Sequence, residues 1–165
     1  MAELGLLIKA WDEGHRELAE AFIGLQDEDV WTRPHPKLLS VGEIAGHIAH
    51  WDAVWIAGSG LKTNLADLPI QGPLIDPSFR YYTTSALSPV QLEMGAKELW
   101  AEVDRVHKEA RAIVIKAGPD SEDIPPGYEK MTWGGILQYR AFHVAYHTGQ
   151  IYSVRHLLGH ETVDN

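Results

Sequence analysis

The sequence predicts an all-α fold: a four-helix bundle with a long connection between the second and third helices. Three observations carry that expectation. Four stretches repeat apolar residues at alternating spacings of three and four, the period of an amphipathic helix. Three of these stretches begin at helix-capping serine or threonine residues, and glycines stand where they end. Hydrophobic residues make up 45% and charged residues 22% of the 165-residue chain, the balance of a globular domain with a full core. No internal repeat, low-complexity tract or second domain is visible, so residues 1–165 read as a single domain.

The first helix is expected over about residues 3–26, where Leu4, Ile8, Trp11, His15, Leu18, Phe22 and Leu25 form a packed stripe. His15 sits inside that stripe. DEDVWTRPHPKLL (27–39) then breaks the pattern with two prolines. Ser40 and Glu43 match the S-x-x-E capping box and open the second helix. Its stripe is Val41, Ile44, Ile48, Trp51 and Trp55, with Gly58 and Gly60 at its end. His47 stands three residues after Ile44 and four before Trp51.

Residues 59–87 hold three prolines and show no helical period. A connection of that length is often functional, and RYYTTS (80–85) reads as a short extended piece. Ser88, Pro89 and Gln91 form a second capping box. From it one long third helix is expected through Leu92, Ala96, Leu99, Val103, Val106, Ala110 and Ile113 to Gly118-Pro119. After the loop 119–131, Thr132 caps the fourth helix. Ile136, Arg140, His143, His147, Gln150, Val154 and Leu157 share its packed face, and Gly159 ends it.

Composition narrows the function. A net charge of -9 with scattered basic residues argues against nucleic-acid binding. The absence of cysteine removes disulfides and any protein thiol. No stretch approaches the roughly 18 apolar residues of a membrane span, and MAELGLLIKAWDEGH is unlike a signal peptide. A soluble cytoplasmic protein is expected.

Nine histidines are many for this length. His143 and His147, at i and i+4, lie one turn apart on one helix face and can chelate one divalent ion. H-x-x-x-H alone is a weak signal; its place on the packed face beside Gln150 strengthens it. Two unpaired buried imidazoles cost stability unless something satisfies them. The plain alternative is that they are ordinary polar core residues. His47 is the best third ligand, with His50 as a competitor. His15 is either a group behind the ligands, a packed hydrogen-bonded histidine or a catalytic base; Gln150 either orients a ligand histidine or water, or caps a crevice. Gly149 would permit close helix approach. His35, His107, His156 and His160 are expected on the surface, and Trp11, Trp51, Trp55 and Trp100 in the core. Tyr81 and Tyr82 are expected near a pocket mouth. HVAYH lacks the glutamate of H-E-x-x-H, and the fourth helix lacks the carboxylates of di-iron bundles. A single ion held by imidazole fits better, and zinc, nickel, iron and copper all suit it.

Two segments and the helix order carry a family resemblance. LQDEDVWTRPHPKLLSVGEIAGHIAHWD (25–52) brings together Trp31, Pro34, Ser40 and His47, and HVAYHTGQI matches H-x-x-x-H-x-G-Q-[IL]. With four helices and a long second connection, the chain resembles the DinB-like (DinB/YfiT) superfamily over nearly its whole length. The resemblance implies a metal site of His47, His143 and His147 with positions left open, one divalent ion (nickel, zinc or iron), and a homodimer. Relatives include S-transferases that use low-molecular-weight thiols such as bacillithiol, and thiol-dependent maleylpyruvate isomerases. The expected function is thus a mononuclear metal-dependent protein acting on a small molecule, an enzyme such as a low-molecular-weight-thiol-dependent S-transferase. A metal-dependent hydrolase and a non-catalytic metal-binding stress-response protein are the alternatives. Without cysteine, any thiol nucleophile comes from a cosubstrate. His15 and Gln150 are the candidate catalytic residues.

Overall fold

The computed structural model describes residues 2–80 and 86–162, and among them every regular element is helical. The α-helices are α1 (Ala2–Glu20), α2 (Asp27–Val30), α3 (Val41–Ile56), α4 (Pro89–Leu92), α5 (Ala96–Ala117) and α6 (Trp133–Leu157). Four are long. Helix α1 packs along α6, α6 against α3, α3 against α5, and α5 touches α1, so the four close a ring around the core. Trp11, Leu18, Ile48, Leu99, Ile136 and Leu137 are fully enclosed there. Among the described residues no helix is long and apolar enough to cross a membrane.

The expected capping box starts α3. Ser40 Oγ accepts from the Glu43 amide (3.2 Å), and the Glu43 carboxylate accepts from the Ser40 amide (2.9 Å). Arg33 closes a salt bridge on the same carboxylate. Almost the whole of α3 is buried, because α5 and α6 flank it while the following connection covers it.

Two helix boundaries differ from the sequence reading, for tertiary reasons. Helix α1 ends at Glu20 rather than near residue 26. Arg155 of α6 donates to the Ala21 carbonyl (2.7 Å), and Gly24 turns the chain at φ 75°. Phe22 and Leu25 still reach the core from that turn. The expected third helix is two. Helix α4 is a single turn on its Ser88–Gln91 capping box, and α5 starts afresh after Gly95. Trp31 Nε1 donates to the Met94 carbonyl (2.7 Å), and Asp27 Oδ1 accepts from the Ala96 amide (2.8 Å). These bonds from the α2 region occupy groups that a continuous helix would pair internally. Leu92 is accordingly exposed, and Val114 rather than Ile113 is the enclosed residue at the far end.

The connection after α3 contains four single 3-10 turns: Gly60–Lys62, Leu65–Asp67, Pro73–Ile75 and Pro77–Phe79. It buries Leu68, Ile70, Leu74, Ile75 and Phe79. Phe79 packs closely against α3 because position 46 is glycine; a Cβ there would sit 2.2 Å from the Phe79 ring. The extended piece expected at 80–85 and the tyrosines at 81 and 82 fall on residues 81–85, outside the described residues.

The Ser40→Ala variant removes the hydroxyl half of the capping box at a fully buried position. It should cost about 1–2 kcal/mol, seen as a lower urea midpoint with an unchanged slope.

Candidate metal centre

Helical periodicity puts His143 and His147 one turn apart on α6, with ring centroids 4.3 Å apart. Helix α3 supplies His47, whose centroid is 5.2 Å from His143 and 5.1 Å from His147. One ring nitrogen from each of the three lies within 4.8 Å of the others, and all three side chains are buried. His50 is not in this group. It is fully enclosed, with Nδ1 3.0 Å from the Leu74 carbonyl.

Neighbouring groups orient the rings. A carbonyl only accepts, so His47 Nδ1 donates to Phe79 O (3.0 Å). His147 Nδ1 donates to Gln150 Oε1 (2.7 Å). Both rings therefore carry their proton on Nδ1 and leave Nε2 as a lone pair. His143 is held differently. Its Nδ1 lies 2.6 Å from Arg140 Nη2, and a guanidinium only donates, so this nitrogen accepts. Its neutral ring then carries the proton on Nε2, and offering Nε2 to a cation would require that proton to move to Nδ1 and the Arg140 bond to be released.

Burial sets the charge of the group. It lowers the His47 pKa to about 3, with His147 adding to the effect and the Phe79 bond opposing it. Burial followed by the Arg140 charge pushes His143 well below the usual histidine range. His147 is lowered by burial against the opposing Gln150 bond. All three rings are neutral at pH 7, the form that ligates a metal.

Behind them lies a polar chain that links all four long helices. Arg140 Nε donates to Asp52 Oδ1 (2.8 Å), and His15 Nε2 donates to Asp52 Oδ2 (2.6 Å). Burial alone would raise the Asp52 pKa, but Arg140 and His15 outweigh it and hold the carboxyl well below its usual range. His15 thus sits behind the three histidines, reaching His143 only through Asp52 and Arg140. His107 of α5 stacks on His15 at 3.7 Å and donates to Asp12 (3.1 Å). It was expected on the surface but is buried. The signal was available, since His107 stands four residues after Val103 and three before Ala110. Arg140 lies on the packed face of the fourth helix as expected, but its partner Asp52 is not legible in the sequence, because nothing in local spacing pairs residues 88 positions apart. Gly149 has open space around it and does not serve a helix contact.

A cavity of about 450 Å³ opens onto the three histidines, within the usual size of small-molecule sites. Trp51, Trp55, Tyr139, Phe142 and Tyr146 form much of its wall, with Arg80 on one side. Trp51 and Trp55, expected in the core, therefore also face the cavity. Arg80 sits over the Trp51 ring at 5.9 Å, and its Nη2 donates to Leu61 O (2.8 Å).

A family model described as DinB superfamily matches residues 10–151. No curated protein and no solved structure gives a significant match.

The buried histidines outside the trio give the protein a pH dependence. Burial lowers His50 to about 4, and burial with the neighbouring His15 lowers His107 to about 4, each from 6.5. Between those values the unfolded chain binds protons that the folded chain refuses. Stability is complete above pH about 6.5 and is lost as the pH falls toward 4, by about 1.4 kcal/mol per pH unit for each ring. Urea midpoints measured from pH 7.5 to 4.5 should fall steeply below 6.5, whereas a flat profile would contradict these assignments.

Proposed function

The chain belongs to the DinB superfamily, and on that premise we propose that it binds one divalent metal ion through His47, His143 and His147. We read it as an enzyme of the low-molecular-weight-thiol-dependent S-transferase kind. The observation that supports this most directly is the meeting of three buried, neutral imidazoles at the floor of a cavity. The residues suit an ion. Two rings have their proton parked on Nδ1 by Phe79 and Gln150, and the donor set is all imidazole, which zinc, nickel or iron accepts. A bound ion of this kind supplies Lewis acidity and lowers the pKa of a thiol or water cosubstrate.

The chain's own residues do the rest. Gln150 and the Phe79 carbonyl hold two rings with their proton on Nδ1, whereas the Arg140 bond to His143 Nδ1 would have to be released for that ring to ligate through Nε2. The aromatic walls keep a small molecule beside the histidines and limit its hydration. His15 acts as a positioning residue, steering Arg140 through Asp52. The nucleophilic thiol must arrive as a cosubstrate because the chain has no cysteine. In keeping with the family reading, the four long helices are taken as a four-helix bundle, residues 1–165 as one domain, and the protein as a cytoplasmic homodimer.

Tag-free protein should carry about one equivalent of metal per chain. The His47→Ala, His143→Ala and His147→Ala variants should each lose it. Elemental analysis decides, and full occupancy in all three variants would overturn the site.

Activity should require both metal and an added thiol. A panel of electrophiles assayed with bacillithiol, mycothiol, glutathione and coenzyme A tests this against metal-stripped protein. Metal-dependent turnover without thiol would replace the reading with a hydrolase. No turnover with any pair would favour the non-catalytic alternative.

A further inference from the structure

The walls of the cavity carry chemical information that the histidines do not. Its aromatic side chains form a continuous arc. Trp51 and Trp55 have ring centroids 6.4 Å apart, Trp55 and Tyr139 6.2 Å, Tyr139 and Phe142 6.4 Å, and Phe142 and Tyr146 5.8 Å. The arc closes on the site, since Tyr146 is 5.0 Å from His147. Tyr139, Phe142 and Tyr146 remain 44%, 61% and 54% exposed. Three neighbouring rings left that open on one helix present flat apolar faces that a ligand would desolvate.

An arc of π faces by itself would also suit a cation. The charges decide against one. Among the described residues, the ionised side chains lining the cavity are Arg80 and Arg140, and no carboxylate lines it. Arg80 is held on the wall over Trp51 by its bond to Leu61 O. Arg140 stands fully buried behind the histidines, with Nη1 lacking a hydrogen-bond partner among the described residues. Its partner Asp52 accounts for one charge only and faces away from the cavity lining. Among the described residues the cavity lining thus offers two guanidinium groups and no carboxylate, whether or not a metal ion is bound.

We propose that this cavity selects a planar aromatic substrate bearing one anionic group, such as an arene carboxylate, with its ring in the arc and its anion on the Arg80 side. The proposal deepens the enzyme reading and rests on it for the statement that this ligand is a substrate. Its binding chemistry does not depend on the metal. An aromatic ring can stack on these exposed π faces, and a single anion can pair with a lining guanidinium.

The experiment is calorimetric titration of metal-stripped and zinc-loaded protein with four probes. They are 2-naphthoate, the neutral 2-naphthylmethanol, the cationic 2-naphthylmethylammonium, and the saturated anion cyclohexanecarboxylate. Naphthoate should bind metal-stripped protein at least about tenfold more tightly than each of the other three, a difference of about 1.4 kcal/mol. Phe142→Ala, at an exposed position, should weaken all the aromatic probes several-fold and leave cyclohexanecarboxylate unchanged. Arg80→Gln should erase the preference for naphthoate over the alcohol, and Arg80→Lys should restore part of it. Thermal melts of each variant separate loss of binding from loss of fold. Equal or tighter binding of the alcohol, the cation or the saturated anion overturns the proposal, as does no binding of any probe. If zinc does not bind but naphthoate discrimination persists, the metal reading fails while the ligand class stands. If zinc binds and discrimination is absent, the reverse holds.

Discussion

One enclosed carboxylate organises the polar interior. Asp52 on α3 is fully buried, yet it accepts from Arg140 on α6 and His15 on α1, and His107 on α5 stacks on that same His15. All four long helices therefore meet in a single polar cluster. Such a group gains little net stability over an apolar core, but losing one partner strands a buried charge at a cost of several kcal/mol. Its strongest effect is on geometry. Arg140 must face Asp52, and that choice sets the rotation of α6 about its own axis. His143 and His147, three and seven residues further on, are then aimed at His47.

The long connection contributes the remaining constraints on the site. It delivers the Phe79 carbonyl to His47 and the Leu74 carbonyl to His50. Two histidines three residues apart on α3 are thereby given different tasks. One is left with a lone pair toward the trio, and the other is tied into the packing between α3 and the connection. Gly46 permits this arrangement, since any side chain there would drive Phe79 off the helix. The segment that lacks periodicity thus shapes the site as strongly as the helices do, through backbone carbonyls whose positions depend on the turns around them.

The aromatic arc and the three histidines share helix α6 but serve separate ends. Residues 139, 142 and 146 lie on the side of the helix that meets the cavity, while residues 136, 137, 144 and 151 face the core. A helix dividing its surface between the core, the histidine trio and the cavity wall has apolar residues nearly all round. Trp51 and Trp55 on α3 likewise belong to both packing and pocket: Trp51 is buried and Trp55 half-buried, and both line the cavity.

Much of this was legible in the chain itself. Heptad-like spacing and capping residues located the four long helices, and the i, i+4 pair on a packed face singled out His143 and His147, because these signals are local and repeat with the helix period. His47 could be chosen for the same reason. The break between α4 and α5, the early end of α1 and the burial of His107 required contacts between distant segments: Trp31 with Met94, Arg155 with Ala21, His107 with His15. The Asp52–Arg140 pair and the Phe79 and Gln150 bonds that set tautomers belong to the same class for the most part. Periodicity says which face of a helix is buried, but not what the neighbouring helix presents to it. The sequence by itself determined an all-helical chain and the histidines worth watching. Only the tertiary structure decided which ring nitrogen carries the proton, which charges surround the rings and what shape of space lies above, because those depend on side chains brought together across dozens of residues.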